Sequence, residues 1–89
     1  MLRITVAKQT REEVVLKVEG WVSGEEVGVL EQEGAHWLQQ VGCLVLDMTE
    51  VRFIDDAGLA LLKRWSGDRL VVRGGSPFVR SLLETHGLG

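Results

Sequence analysis

Between Gly42 and Asp47 the chain runs Cys43-Leu44-Val45-Leu46, four apolar residues with no polar residue among them. A strand with one wet face alternates, so an unbroken run predicts a strand covered on both faces in the middle of a sheet. An interior strand needs neighbours on both edges, and parallel neighbours need helical crossovers. The flanking segments meet both needs. Residues 2 to 7, LRITVA, alternate apolar and polar side chains, and VVLKVEG from Val14 to Gly20 does so again after the charged turn QTREE. That is the pattern of a hairpin of two half-buried strands. Arg69 to Arg73 reads as a further brief strand.

Three helices separate or follow these strands. Ser23-Gly24-Glu25-Glu26 matches a capping box, which predicts a helix start there. Val27, Leu30, Leu38 and Val41 share one face, and Gly42 is the expected stop. Gly28 and Gly34 each weaken that helix by about 1 kcal/mol against alanine, and Gly34 marks either close packing or a break. A second helix begins at Asp55 or Asp56, with Leu61, Leu62 and Trp65 as its apolar stripe and Lys63, Arg64 and Ser66 on the wetter side. Gly74-Gly75 reads as a turn, and Ser76-Pro77 as the N-cap and first position of a third helix carrying Val79, Leu82 and Leu83 and closed by Gly87. The order strand, strand, helix, strand, helix, strand, helix predicts an α/β fold: a small four-stranded mixed sheet with helices packed on it, in one domain. A chain of 89 residues is near the size at which one core becomes marginal, so that core has to be efficient.

Several function classes are disfavoured. The net charge of −3 offers no general attraction to a phosphate backbone, and no stretch gathers Lys and Arg into a basic arm, so nucleic acid is not an expected partner. No apolar run is long enough to span a bilayer, and MLRITVAKQT lacks the pattern of a secretory leader; the expectation is a cytoplasmic protein without direct membrane insertion. Cys43 is the only cysteine and reads as a small buried residue rather than a nucleophile. His36 lies mid-helix and His86 near the chain end, neither placed beside a Ser or Cys, and GGSP lacks the lysine of a phosphate-binding loop.

The segment CLVLDMTEVRFIDDAGLALL, residues 43 to 62, resembles the STAS domain of anti-sigma factor antagonists and sulfate transporter tails. The family pattern is strand, Asp, short loop, Phe-x-Asp, phosphoacceptor Ser or Thr, small residue, Gly and apolar helix. Gly20 with Val22, and VVRGGSPFVRSLLETHGL, resemble the family's turn after the second strand and its last strand and helix. The resemblance implies a non-catalytic protein-binding module with no cofactor, and it places Asp56 at the phosphoacceptor position, where this chain has no hydroxyl. Asp47, Thr49, Asp55, Asp56, Ala57 and Gly58 then form the switch loop and helix start. The partner-docking set is Trp21, Ser23, Thr49, Asp56, Ala57, Leu59 and Lys63, with Leu59 expected to face away from the apolar stripe. The implied partner is an anti-sigma-type serine kinase of the GHKL ATPase class; the alternative is the ATPase of an ABC-type lipid transporter, with the chain as its accessory subunit.

Two adjacent carboxylates at a helix start also have a local explanation. The first turn exposes unpaired N–H groups and the positive end of the helix dipole, worth about 0.3–1 kcal/mol to an anion at the surface. Asp55 is the expected N-cap and Asp56 a first-turn residue, so Asp56 reads either as a fixed, partial imitation of a phosphoserine or as a structural helix residue. A third reading joins Asp47, at the expected strand end, to Asp55 and Asp56 in a Mg²⁺-dependent phosphoryl site. The late position of the acidic pair argues against it.

Overall fold

In the computed structural model, which describes residues 1–67 and 69–88, the alternating segments form an antiparallel hairpin of β1 (Leu2–Gln9) and β2 (Glu13–Val22). The Thr10 hydroxyl closes the turn by accepting the Glu12 and Glu13 N–H groups at 3.3 and 3.1 Å. Helix α1 (Glu26–Leu38) crosses to β3 (Cys43–Ile54), α2 (Asp56–Trp65) crosses to β4 (Leu70–Arg73), and α3 (Pro77–Thr85) follows. The strand order is β1-β2-β3-β4, with β3 parallel to both neighbours. The apolar run at Cys43–Leu46 is therefore interior, as its composition demands.

Its second face is not under a helix. Val14, Leu16, Val18, Leu44, Leu46 and Met48 share one core with Val27 and Leu30 of α1, Leu59, Leu61 and Leu62 of α2, and Val79 and Leu83 of α3. All three helices thus cover one side of the sheet, and alternation turns Val15 and Val45 to the other. They are still only 2% and 5% exposed, because the register sets Lys8 and Val45 beside Val15, and Val71 beside Val45. Inner strands can bury a small side chain by crowding alone. Cys43, at the end of this run, is half-buried rather than buried.

β3 also outruns the sequence expectation: Asp47 does not end it, and the strand continues to Ile54. The register against β2 slips twice, between Lys17 and Glu19 and between Gly20 and Trp21. Each slip inserts one extra β3 residue, the positions of Thr49 and Arg52. The slips break the alternation while still returning Met48, Val51 and Ile54 to the core.

Helix α1 starts later than Ser23. Its N-cap is Glu25, which makes no side-chain capping bond, and the capping box does not form. Glu26 is committed elsewhere: its carboxylate accepts the Leu2 N–H at 2.8 Å and lies 3.3 Å from the Met1 amine. The helix also stops short of Gly42, at a Gln39 C-cap, and the carbonyls of Leu38, its last residue, and of Val41 just beyond it accept from the Arg69 guanidinium. Gly34 is a close-packing position, since any β-carbon there would collide with the Trp65 ring. Ser76 caps α3 by accepting the Val79 N–H at 3.2 Å, with Pro77 in the first turn. Among the described residues no helix is long and apolar enough to cross a membrane.

Candidate functional site

The N-terminal turn of α2 sits where β2 and β3 end side by side. Asp55 is extended (φ −94°, ψ −178°) and caps the helix. One carboxylate oxygen accepts the Gly58 N–H at 2.8 Å, and the other accepts the Gly24 N–H at 2.9 Å from the turn after β2. Its own N–H donates to the Val22 carbonyl at 3.1 Å. One side chain thus joins two turns, and the N–H donors of Gly24 and then Gly58 hold its carboxyl below the ordinary value of 3.8. Gly58 is glycine for contact reasons: a β-carbon would lie 2.8–2.9 Å from Ile54 and Val22.

Asp56 and Ala57 occupy the exposed outer side of the same turn. Among the described residues the Asp56 side chain has no hydrogen-bond or salt-bridge partner, so its charge faces solvent over the positive end of α2. Ser23 is half-buried beside the Gly24 turn, and Lys63 is exposed about two turns further along. Leu59 is the correction within this set. It is 3% exposed and belongs to the core. At 100° per residue, Gly58, Leu59, Leu61, Leu62 and Trp65 spread over roughly 160°, an arc wide enough to meet both the sheet and α1.

Thr49 and Asp47 stand apart from this corner. The Thr49 hydroxyl donates to the Asp47 carboxylate at 2.6 Å and its N–H donates to the same oxygen at 3.0 Å. These bonds, helped by Arg73 and Lys17, lower the Asp47 carboxyl below 3.8. The pair packs against Gly74, where a β-carbon would strike Thr49. Because β3 runs unbroken, Asp47 and Asp55 are separated by on the order of 20 Å of strand. The three carboxylates do not converge, and among the described residues no three His, Cys, Asp or Glu side chains are grouped to hold a metal.

Trp21 lies on the helix-free side of the sheet, opposite Phe53 in register. Their ring centroids are 5.9 Å apart, and Phe78 of α3 continues the row at 6.3 Å from Phe53 with the rings 12° from parallel. Sequence reasoning singled out Trp21 but not Phe53 or Phe78. Neither carried a readable signal: Phe78 lies one turn before Leu82, at the edge of the apolar stripe of α3, and Phe53 was hidden by the slip at Arg52.

Residues 5–89 match the family model described as "Mlab, STAS domain", and the chain belongs to that STAS family. Among solved structures it resembles the anti-sigma factor antagonist SpoIIAA in its unphosphorylated form, with a TM-score of 0.77 and 24% identity over 98% of this chain and 83% of that one. An anti-sigma factor antagonist from Mycobacterium paratuberculosis gives 0.80 and 24% over 99% and 80%. The phosphorylated form of SpoIIAA, a Bacillus cell fate determinant, gives 0.71 and 21% over 98% and 86%. At these identities the likeness is one of fold. No curated protein matches the chain significantly.

Proposed function

We propose that the chain is a non-catalytic regulatory module that acts by binding a partner protein over the first turn of α2, with Asp56 as a fixed negative contact. One observation carries the reading: Asp56 presents an exposed carboxylate with no internal partner, while Asp55 beside it does all the capping. A residue needed only for the helix would duplicate work already done. Asp56, Ala57, Ser23 and Lys63 then form the docking surface, with Trp21 at its margin and Thr49 outside it.

The partner class in keeping with the fold is an anti-sigma-type serine kinase of the GHKL ATPase class. A second reading, an accessory subunit docked on the ATPase of an ABC-type lipid transporter, is favoured by the missing hydroxyl at Asp56, since that role requires no phosphoacceptor. Aspartate brings one charge and two oxygens where a phosphoserine brings roughly two and three, so a kinase partner would meet a partial imitation of a modified surface.

The test is capture of partners from host lysate by the native chain, followed by their affinities for Asp56→Ser and Asp56→Ala. An ATPase of either class, with affinity altered in both variants, is the expected result. Equal affinities for all three chains would reduce Asp56 to a helix residue and remove the proposal.

A further inference from the structure

The chain has five aromatic residues, and three of them form the surface row Trp21, Phe53 and Phe78, which are 52%, 37% and 54% exposed. A domain this small gains most by burying such rings, and exposed apolar groups that form a contiguous patch mark interaction surfaces. The row crosses the ends of β2 and β3 and reaches the start of α3, with a shallow depression between Trp21, Arg52 and Phe53.

The charges around it indicate what covers it. One step along the sheet, Lys17, Asp47 and Arg73 are aligned across β2, β3 and β4 with alternating sign. Next to the aromatic row the alternation fails, because Glu19 of β2 stands opposite Glu50 of β3, and like charges directly opposite one another are unfavourable. Arg3 faces Glu19 from β1, and Arg52 borders the depression, but among the described residues neither forms a salt bridge. The border of the row thus carries Glu19 and Glu50 side by side, with Arg3 on the far side of Glu19 and Arg52 at the depression. A second copy would bring another Glu19–Glu50 pair and the same net charge of −3, so self-association by this face is disfavoured.

We infer that the row Trp21–Phe53–Phe78 is a docking surface for a protein segment with apolar side chains flanked by Lys or Arg, the apolar groups covering the rings and a cation reaching between Glu19 and Glu50. The inference rests on the proposed role as a binding module and adds a second contact area, with its chemistry, beside the α2 corner. Rings supply the affinity in such an arrangement, and the carboxylates select the sign of the partner.

The experiment titrates the isotopically labelled full chain with an amphipathic leucine–lysine helical peptide and, separately, with its leucine–glutamate counterpart. Amide and indole NMR shifts are followed, and sedimentation is run in parallel. The lysine peptide should move the Trp21 indole and the Phe53 and Phe78 signals. Trp21→Ser and Phe78→Ser, both exposed positions whose folding is checked by circular dichroism, should each weaken it at least tenfold. Glu19→Gln with Glu50→Gln should weaken it less and flatten its salt dependence. No binding, equal binding of the two peptides, or shifts confined to α2 would overturn the inference. So would self-association that Phe78→Ser abolishes, which would assign the row to a second copy. Asp56→Ala should leave peptide binding largely intact, so loss of partner capture in that variant tests the α2 reading separately.

Discussion

Asp55 and Asp56 are adjacent in sequence and opposite in use. Asp55→Ala removes the cap of α2 and the acceptor for the Gly24 N–H together, so it should cost at least the ~1 kcal/mol of an ordinary cap, read as a lower denaturant midpoint with unchanged slope. Asp55→Asn keeps one good acceptor oxygen and should cost less. Asp56→Ala touches no internal bond and should move stability by no more than about 0.5 kcal/mol, its effect appearing in partner affinity instead. A thermal or urea series on the three variants checks the ordering, and a large loss in Asp56→Ala would mean that the carboxylate is structural. The cap at Asp55 was legible because capping is local: the residue and its acceptor geometry lie within one turn. Ser23 had the same local signature and did not cap, because Glu26 is drawn to the Met1 amine and the Leu2 N–H on a strand more than twenty positions away. Leu59 was misread for a related reason, since the width of a buried arc depends on how many elements press on a helix.

At the scale of elements, β3 was read as four residues and is twelve, because periodicity is a count and an inserted residue resets the count. The residues at the slips, Thr49 and Arg52, were therefore not legible as strand, although Met48, Val51 and Ile54 still face the core. The α1–α2 contact was half legible in Gly34, whose packing partner only the fold could name. Gly34→Ala gains about 1 kcal/mol of helix propensity but drives a methyl group into the Trp65 ring, and overpacking typically costs 1–3 kcal/mol, so a net loss is expected. Pairing it with Trp65→Leu makes room for the methyl group, and the double variant should be more stable than the sum of the two single losses predicts. Additive losses in a double-mutant cycle would mean that the two positions do not meet.

For the whole molecule, two carboxylates that the fold favours in their ionised form, Asp47 on the sheet and Asp55 at the cap of α2, shape how stability responds to acid. Asp47 and Asp55 both have folded-state values below the ordinary 3.8, the first through Thr49 and the second through Gly24 and Gly58. A group depressed in the folded state contributes stability above its unfolded value and loses it as the pH falls through the folded one. These two carboxylates should therefore leave stability flat from neutral pH down to about pH 5 and reduce it below about pH 4. The loss should be modest, since both groups are well solvated and their Coulomb contributions are screened. Asp47→Asn and Asp55→Asn should each be less stable than the native chain at neutral pH and approach it in acid, where the native carboxylates are protonated too. The measurement is urea denaturation at closely spaced pH values for the three chains. Curves that stay parallel through the acid range would show that neither hydrogen-bond set favours the ionised form, and the account of how Asp55 ties the β2–α1 turn to α2 would fail with it.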